Sequence, residues 1–306
     1  MDRRAWALLL VLGAIWGASY LFIKIGVRDL SPAMVAFLRI ALAACVLVPV
    51  AISQDAMRGL GRRVPMLLLL GAVQVAGPFL LIAAGEEEIS SSLAGILVSS
   101  APLFTAVLAI WVDHEERSTG MRLAGIGLGF AGVMLLLGVD LGGSGSELLG
   151  GAAVVLASLG YAVGGFITKH RFAGAQPLGA AAAVMLASAA LLAPAAVATA
   201  PADAPGLGPL AAVAALGVLG TGVAFAIFYS LIGSVGPART LIVTYIAPAF
   251  AVLYGALLLD ERISLATVAG LVLIVGGSWL AAGGISAGDE AAPGGAAEVP
   301  VGDHAS

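Results

Sequence analysis

The sequence alternates long apolar runs with short polar breaks over most of its length. A helix that crosses a bilayer needs about 20 mostly apolar residues. The breaks carry charged, glycine or proline residues, as in the acidic triplet at 86–88. Ten runs are long enough, at residues 6–26, 33–52, 65–85, 91–112, 121–138, 150–168, 177–199, 209–232, 238–259 and 264–284. The pattern predicts an all-α polytopic membrane protein with ten transmembrane helices.

Composition supports the same class of protein. Of the 306 residues, 60% are hydrophobic and only 10% are charged, with a mean hydropathy of +1.08. Soluble domains carry roughly 25% charged residues. Cys45 is the single cysteine, so the chain offers neither an internal disulfide nor a thiolate metal site. No basic patch is wide enough for nucleic acid, and the expected surroundings are a lipid bilayer.

The two halves of the chain repeat each other at an offset of 145 residues. The landmarks that recur at this offset are Trp16 as Tyr161, Lys24 as Lys169, Pro32 as Pro177 and Pro49 as Pro194. An Ala-Pro dipeptide and a Glu-Arg dipeptide also recur, at 101–102 and 247–248 and at 116–117 and 261–262. Such a register indicates an internal duplication. The predicted repeats span 6–138 and 149–284, with five helices each.

The lysine and arginine distribution predicts the orientation, because cytoplasmic loops carry more of these residues. If the N-terminus is cytoplasmic, that side holds Arg3, Arg4, Arg58, Arg62, Arg63, Arg117, Arg122, Lys169, Arg171 and Arg239. The other side holds only Arg28 and Arg262. Both termini are therefore expected in the cytoplasm, and residues 285–306 are expected to be a disordered cytoplasmic tail. Because five helices is an odd number, the two repeats are expected to be inverted, as in many secondary transporters.

Two prolines fall near the centres of the fourth and ninth predicted helices. Pro102 and Pro248 each remove a backbone hydrogen bond and free a carbonyl one turn earlier. Neighbouring helices can satisfy such carbonyls, or a water-filled cavity can. Polar residues precede each proline, namely Ser99, Ser100, Thr244 and Tyr245. We predict kinks at symmetry-related positions and count these residues as candidates for a cavity wall.

Trp16, Tyr20 and Lys24 lie four residues apart and hence on one face of the first helix. Tyr161 is the repeat counterpart of Trp16. These aromatic residues either pack against neighbouring helices or form a wall for an organic solute. Lys24 is expected to extend its ammonium group towards the outer surface, and it is a candidate for charge coupling.

Arg39 lies seven residues after Pro32, about 10 Å along the second helix. A guanidinium at that depth is costly unless it is paired or faces water. Its repeat counterpart is Val184, so the fold itself does not require the charge. Two roles fit: Arg39 tethers the helix to an acidic group such as Glu86, or it binds an anionic part of a substrate. Glu86 is itself a candidate for proton coupling.

Gln74 and Thr221 are further polar residues within predicted helices. Hydrogen bonding between helices or cavity lining would explain each of them. The sequence contains no HExxH zinc motif, no GxxxxGK phosphate loop and no Gly-x-Ser-x-Gly nucleophile elbow. We therefore predict no catalytic residues, no metal site, no cofactor and no enzymatic activity.

Several of these motifs resemble the drug/metabolite transporter superfamily, and in particular its EamA-type members. The similar segments are Ile-Trp-Gly-Ala-Ser at 15–19 with Lys24, Pro32 and Phe-Leu-Arg at 37–39, the serine-rich run 90–97 through Ala-Pro-Leu-Phe at 101–104, and Glu-Arg at 116–117 and 261–262. The resemblance implies ten helices in two inverted repeats around a central cavity. It also implies that the helices carrying Trp16, Pro102 and Pro248 line that cavity. The second repeat departs from the pattern at Tyr161 and Val184.

The sequence thus predicts an inner-membrane secondary transporter that moves a small organic solute by alternating access. The resemblance favours efflux of a metabolite or an amino acid. Import or antiport of phosphorylated or nucleotide-linked solutes is an alternative, although the few cationic candidates fit a diphosphate poorly. A membrane scaffold and a lipid-modifying enzyme are alternatives of other classes. The sequence leaves open the substrate, the direction of transport and the coupling ion. It also leaves open the oligomeric state, for which a monomer is one option.

Overall fold

The computed structural model describes residues 1–112, 120–140 and 145–282, and the predicted tail at 285–306 lies outside this part. Ten helices cover the described residues: α1 (Arg3–Gly26), α2 (Pro32–Ser53), α3 (Leu60–Glu88), α4 (Ser91–Val98 and Ala101–Val112), α5 (Gly120–Gly138), α6 (Gly145–Arg171), α7 (Pro177–Ala198), α8 (Leu207–Val235), α9 (Val243–Leu258) and α10 (Leu265–Ala281). The first eight are long and apolar enough to cross a bilayer, and the last two are shorter apolar helices. The prediction of ten helices is confirmed.

The helices pack in pairs that the two repeats relate to each other. The helix α1 packs against α8 and α9, and its counterpart α6 packs against α3 and α4. The remaining close pairs, α2 with α7 and α5 with α10, join equivalent helices of the two repeats. Because each repeat crosses the bilayer five times, the repeats run in opposite senses. We call the side where α1 begins the terminal face and the other side the opposite face.

Glycines allow the helix backbones to approach closely at these crossings. A Cβ atom on Gly125 of α5 would lie 2.6 Å from the backbone nitrogen of Ala281 in α10. On Gly17 of α1 it would lie 2.7 Å from the carbonyl oxygen of Ala247 in α9. Helices in lipid lack a hydrophobic drive to associate, so small residues at their contacts set how closely they pack.

One wide turn interrupts the third helix of each repeat. Residues Gly71–Ala76 of α3 and Val218–Val223 of α8 adopt π-helical geometry. Such turns widen a helix locally and often occur at functional sites. Gln74 and Thr221, the two polar residues predicted within these helices, both lie in the turns.

The fourth helix is broken immediately before its proline. Pro102 is the second residue of the segment that starts at Ala101, where its missing N–H leaves no hydrogen bond unmade. The carbonyl of Val98 accepts a hydrogen bond from Oγ of Ser158 in α6 at 3.3 Å. The carbonyl of Ser99 accepts one from Oγ of Ser278 in α10 at 3.0 Å. Neighbouring helices therefore supply hydrogen bonds to the carbonyl groups at the break.

The second repeat does not reproduce this break. Pro248 lies within the continuous helix α9, and the interruption falls earlier, at Leu241 and Ile242, after the one-turn helix Pro237–Thr240. The break before Pro102 therefore has no counterpart at Pro248, and the kinks expected at the two prolines stay a prediction. Serine hydroxyl groups on α6 and α10 donate to the carbonyl groups at the α4 break. By contrast, α9 continues without a break through Pro248.

Candidate solute-binding site

Arg39 is buried at the interface between the two repeats. Its side chain is only 8% exposed, and its Nε donates a hydrogen bond to Oγ1 of Thr221 at 2.9 Å. The guanidinium carbon lies 3.7 Å above the ring centroid of Phe79 on α3, in cation–π geometry. Thr221 in turn donates to the carbonyl of Leu216, five residues earlier. The wide turn of α8 thus presents an acceptor to Arg39 from the other repeat.

The guanidinium has N–H donors beyond the one that bonds to Thr221. Within residues 1–112, 120–140 and 145–282, no carboxylate forms an ion pair with Arg39, and its hydrogen bond to Thr221 is the only one seen. Tyr20 of α1 and Tyr161 of α6 lie within electrostatic range of the guanidinium. An arginine presents planar paired N–H donors that match both oxygens of a carboxylate. The cluster of Arg39, Thr221, Phe79, Tyr20 and Tyr161 is hereafter the Arg39 cluster.

Lys24 reaches towards the opposite face, where backbone carbonyls receive its ammonium group. Its ammonium group donates to the backbone carbonyls of Glu86 at 2.5 Å and of Ile89 at 2.9 Å. These carbonyls lie at the C-terminus of α3, where helix carbonyls lack partners and cations are favoured. Lys24 therefore ties α1 to the end of α3 at the opposite face.

Glu86 lies beside this tie with its carboxyl group enclosed in protein. The side chain is 0% exposed, and neither Oε1 nor Oε2 has a hydrogen-bond partner in the described part of the chain. Lys24, Glu261 and Arg39 are the charged groups that interact with it electrostatically. The predicted tether between Glu86 and Arg39 does not form: no ion pair joins them in the described part of the chain, and Arg39 bonds to Thr221 instead.

The N-terminus of α4 receives a carboxylate from the other repeat. Glu261, in the connection between α9 and α10, accepts hydrogen bonds from the backbone N–H groups of Ser91 at 2.7 Å and Ser92 at 3.0 Å. Both seryl hydroxyl groups also donate to it. A carboxylate at a helix N-terminus satisfies unpaired donors and complements the helix dipole.

Further polar contacts join the repeats at the opposite face. Asp29 accepts a hydrogen bond from the backbone N–H of Gly206 at 2.8 Å. The hydroxyl groups of Ser31 and Thr199 lie 2.7 Å apart. At the terminal face, a cleft of about 440 Å³ opens between the α2–α3 and α6–α7 connections, lined by Gln54, Asp55, Ala56, Arg58, Leu60, Gly174, Ala175 and Gln176. The cleft lies away from the Arg39 cluster.

Two predicted cavity residues lie in other helix contacts. Trp16 packs between α1 and α8, with its ring centroid 5.4 Å from that of Phe228 and 6.5 Å from that of Phe225. Gln74 accepts a hydrogen bond from Thr168 Oγ1 at 3.2 Å, between α3 and α6. Packing between helices accounts for both residues in this structure.

The polar residues before the two prolines mostly bond to their own helices. Three of them donate to a carbonyl three or four residues earlier, namely Ser99 to Gly95, Ser100 to Leu97 and Thr244 to Leu241. The Tyr245 hydroxyl lies 3.4 Å from the carbonyl of Ser278 in α10. No described contact joins these residues, or Pro102 and Pro248, to Arg39.

Sequence reasoning missed residues that carry no distinctive pattern. Phe79 is one of several apolar residues in α3, and only the fold shows that its ring covers a guanidinium. Ser158 and Ser278 are small polar residues in long apolar helices, and their donation to the α4 break depends on tertiary contacts.

A bundle of ten apolar helices in two inverted repeats is an architecture of membrane transporters. The chain belongs to the EamA-like transporter family, whose sequence pattern matches residues 4–138 and 148–283. Two copies of that pattern in one chain account for the paired packing of equivalent helices. The protein is thus a multi-pass membrane transporter.

Individual relatives agree with this membership. The chain is 28% identical over 270 residues to the uncharacterized inner membrane transporter YedA of Escherichia coli strain K12, covering 84% of this chain and 83% of that protein. It is 30% identical over 173 residues to a probable amino-acid metabolite efflux pump of the same strain, covering 55% and 54%. A crystal structure with 21% sequence identity superposes with a TM-score of 0.65, covering 92% and 97%, and shares the fold.

Proposed function

We propose that the protein exports a small organic solute bearing a carboxylate, of the amino-acid class, across the inner membrane. The observation that carries this proposal is a buried arginine with unpaired N–H donors, hydrogen-bonded from one repeat to the other. A carboxylate that pairs with Arg39 offsets the cost of burying the guanidinium, so the site favours an anionic ligand. Phe79 and the two tyrosines supply surface for an apolar part of the solute.

The position of Arg39 suits alternating access. Its guanidinium is held by α2 and α3 of the first repeat and by Thr221 of the second. A movement of one repeat against the other therefore changes the surroundings of a bound carboxylate. Transporters with inverted repeats bind solutes at such an interface.

Efflux is the direction we propose, with both termini in the cytoplasm. The lysine and arginine distribution supports this orientation. One of the similar Escherichia coli proteins is named a probable amino-acid metabolite efflux pump, which supports export and the solute class. A diphosphate would need more cations than this site offers, because Lys24 is bonded to backbone carbonyls.

Solute flux in proteoliposomes tests the proposal with a panel of labelled amino acids. Arg39→Ala removes charge-assisted hydrogen bonds, worth about 1.5–3 kcal/mol, and is expected to lower flux about 10- to 100-fold. The matched control is Arg58→Ala, an exposed arginine whose ion-pair partner in the described part of the chain is Asp55, three residues away. Its flux is expected to equal that of the unmodified protein.

The same experiment can refute the proposal. Equal flux in Arg39→Ala and Arg58→Ala, with equal amounts of protein in the membrane, would remove Arg39 from the binding site. Flux of phosphorylated solutes but not of amino acids would replace the proposed solute class. Absence of flux for every solute tested would refute the proposed solute class.

A further inference from the structure

Glu86 is a buried carboxyl group whose burial nothing in the fold explains by hydrogen bonding. Its two carboxyl oxygens are the only fully buried side-chain polar atoms that lack a hydrogen-bond partner in residues 1–112, 120–140 and 145–282. The next two residues on the helix, Glu87 and Glu88, are exposed. Burial is therefore specific to Glu86 within the acidic triplet.

The groups that face Glu86 from neighbouring helices have other partners or are neutral. From α1, the Lys24 ammonium bonds to two backbone carbonyls, and Tyr20 is a neutral phenol. From α2, Arg39 bonds to Thr221. From the α9–α10 connection, Glu261 is saturated by four donors at the start of α4. From α6, the nearby titratable group is Tyr161, which interacts with Arg39.

An ionised carboxylate without a partner costs far more free energy in a protein interior than a neutral carboxylic acid does. The arrangement seen here, with the opposite face tied together, therefore suits protonated Glu86. Loss of the proton would draw the Lys24 ammonium from the backbone carbonyls to the carboxylate. That exchange would weaken the tie between α1 and the end of α3 and favour the open state, whereas with a permanently neutral side chain the face would open and close independently of pH.

We propose that Glu86 is a proton-binding site that couples proton movement to solute transport. The inference rests on the proposed transport function. Glu86 takes one proton from water when the opposite face is open, and the neutral acid permits that face to close. The proton leaves to water in the cavity once the terminal face opens, where Arg39 and Lys24 favour the anion. Solute and proton thus move in opposite directions.

Infrared spectroscopy of the full chain in nanodiscs tests proton binding without any solute. The unmodified protein is expected to show the C=O stretching band of a protonated carboxyl group at neutral pH. Glu86→Gln should lose that band. The matched control Glu87→Gln changes an exposed neighbour and should keep it. Identical spectra for the unmodified protein and Glu86→Gln would overturn the assignment.

Proteoliposomes loaded with labelled amino acids test the coupling. An imposed pH gradient should drive the unmodified protein and Glu87→Gln to raise the ratio of the solute concentrations on the two sides of the membrane above one. Glu86→Gln, fixed in the neutral form, should exchange solute across the membrane but reach a ratio of only one. Glu86→Asp should restore part of the accumulation, which a merely structural role would not require.

The outcomes separate the two proposals. Accumulation driven by pH in Glu86→Gln would overturn the coupling by Glu86 while leaving the transport function intact. Loss of exchange as well as accumulation in Glu86→Gln, in a protein that stays monodisperse, would assign Glu86 to solute binding and contradict proton coupling. Absence of amino-acid flux in every form would overturn the proposed function and the coupling, while the infrared band would still decide whether Glu86 binds a proton.

Discussion

Replacement of Glu261 by alanine should weaken the contact between the two repeats at the opposite face. The carboxylate accepts hydrogen bonds from the backbone N–H and the hydroxyl group of both Ser91 and Ser92. The two serines are 0% and 1% exposed, so water cannot easily replace the lost acceptor. The backbone N–H groups of Ser91 and Ser92 would be left as two unsatisfied buried donors at the start of α4.

The magnitude follows from these contacts. A buried donor that loses its partner costs about 1–3 kcal/mol, and loss of an anion from a helix N-terminus costs about 0.3–1 kcal/mol. Glu261 is partly exposed, and the seryl hydroxyl groups can turn to other acceptors, so the lower part of the range applies to each donor. We expect the free energy of unfolding to fall by about 3 kcal/mol.

Unfolding in mixed micelles of mild and denaturing detergent measures this change. The neighbouring carboxylate Asp260 is exposed and accepts no hydrogen bond in the described structure, so Asp260→Asn is a matched control with an expected change below about 0.5 kcal/mol. Glu261→Gln, which keeps one acceptor oxygen, should fall between the two. A loss in Glu261→Ala no larger than in Asp260→Asn would refute the reasoning.

Two further predictions concern packing and topology. Gly125→Ala should destabilise the protein by about 1–3 kcal/mol, because the new methyl group would overlap the α10 backbone, whereas Gly127→Ala, with open space around it, should have no such effect in the same unfolding assay. In a Cys45→Ser background, cysteine at Glu87 should react with an impermeant thiol reagent outside intact cells and cysteine at Arg62 should not; the reverse pattern would invert the proposed orientation.

The sequence predicted the helices well because their signal is local. Every span needs a long apolar run, and every break carries residues that water must solvate, so most helix ends fall within a few residues of the prediction. The register of the duplication predicted the inverted repeats for a similar reason. An odd number of crossings in each copy follows directly from the count.

The site was predicted only in part because its assembly depends on tertiary contacts. Arg39 and Thr221 stand out as polar residues in apolar helices, but their hydrogen bond joins residues 182 positions apart. The wide turn that presents Thr221 has no simple sequence signal. Pro102 and Pro248 occupy similar motifs, yet only the first follows a helix break, because hydroxyl groups on other helices stabilise it.

Alternating access is the central claim, and a reversible cross-link at the opposite face tests it most directly. The hydroxyl groups of Ser31 and Thr199 lie 2.7 Å apart across the two repeats. The variant Ser31→Cys/Thr199→Cys in the Cys45→Ser background should form a disulfide that stops amino-acid flux in proteoliposomes, and reduction should restore it. The single-cysteine variants should transport under both conditions. Full flux through the cross-linked protein would contradict the account.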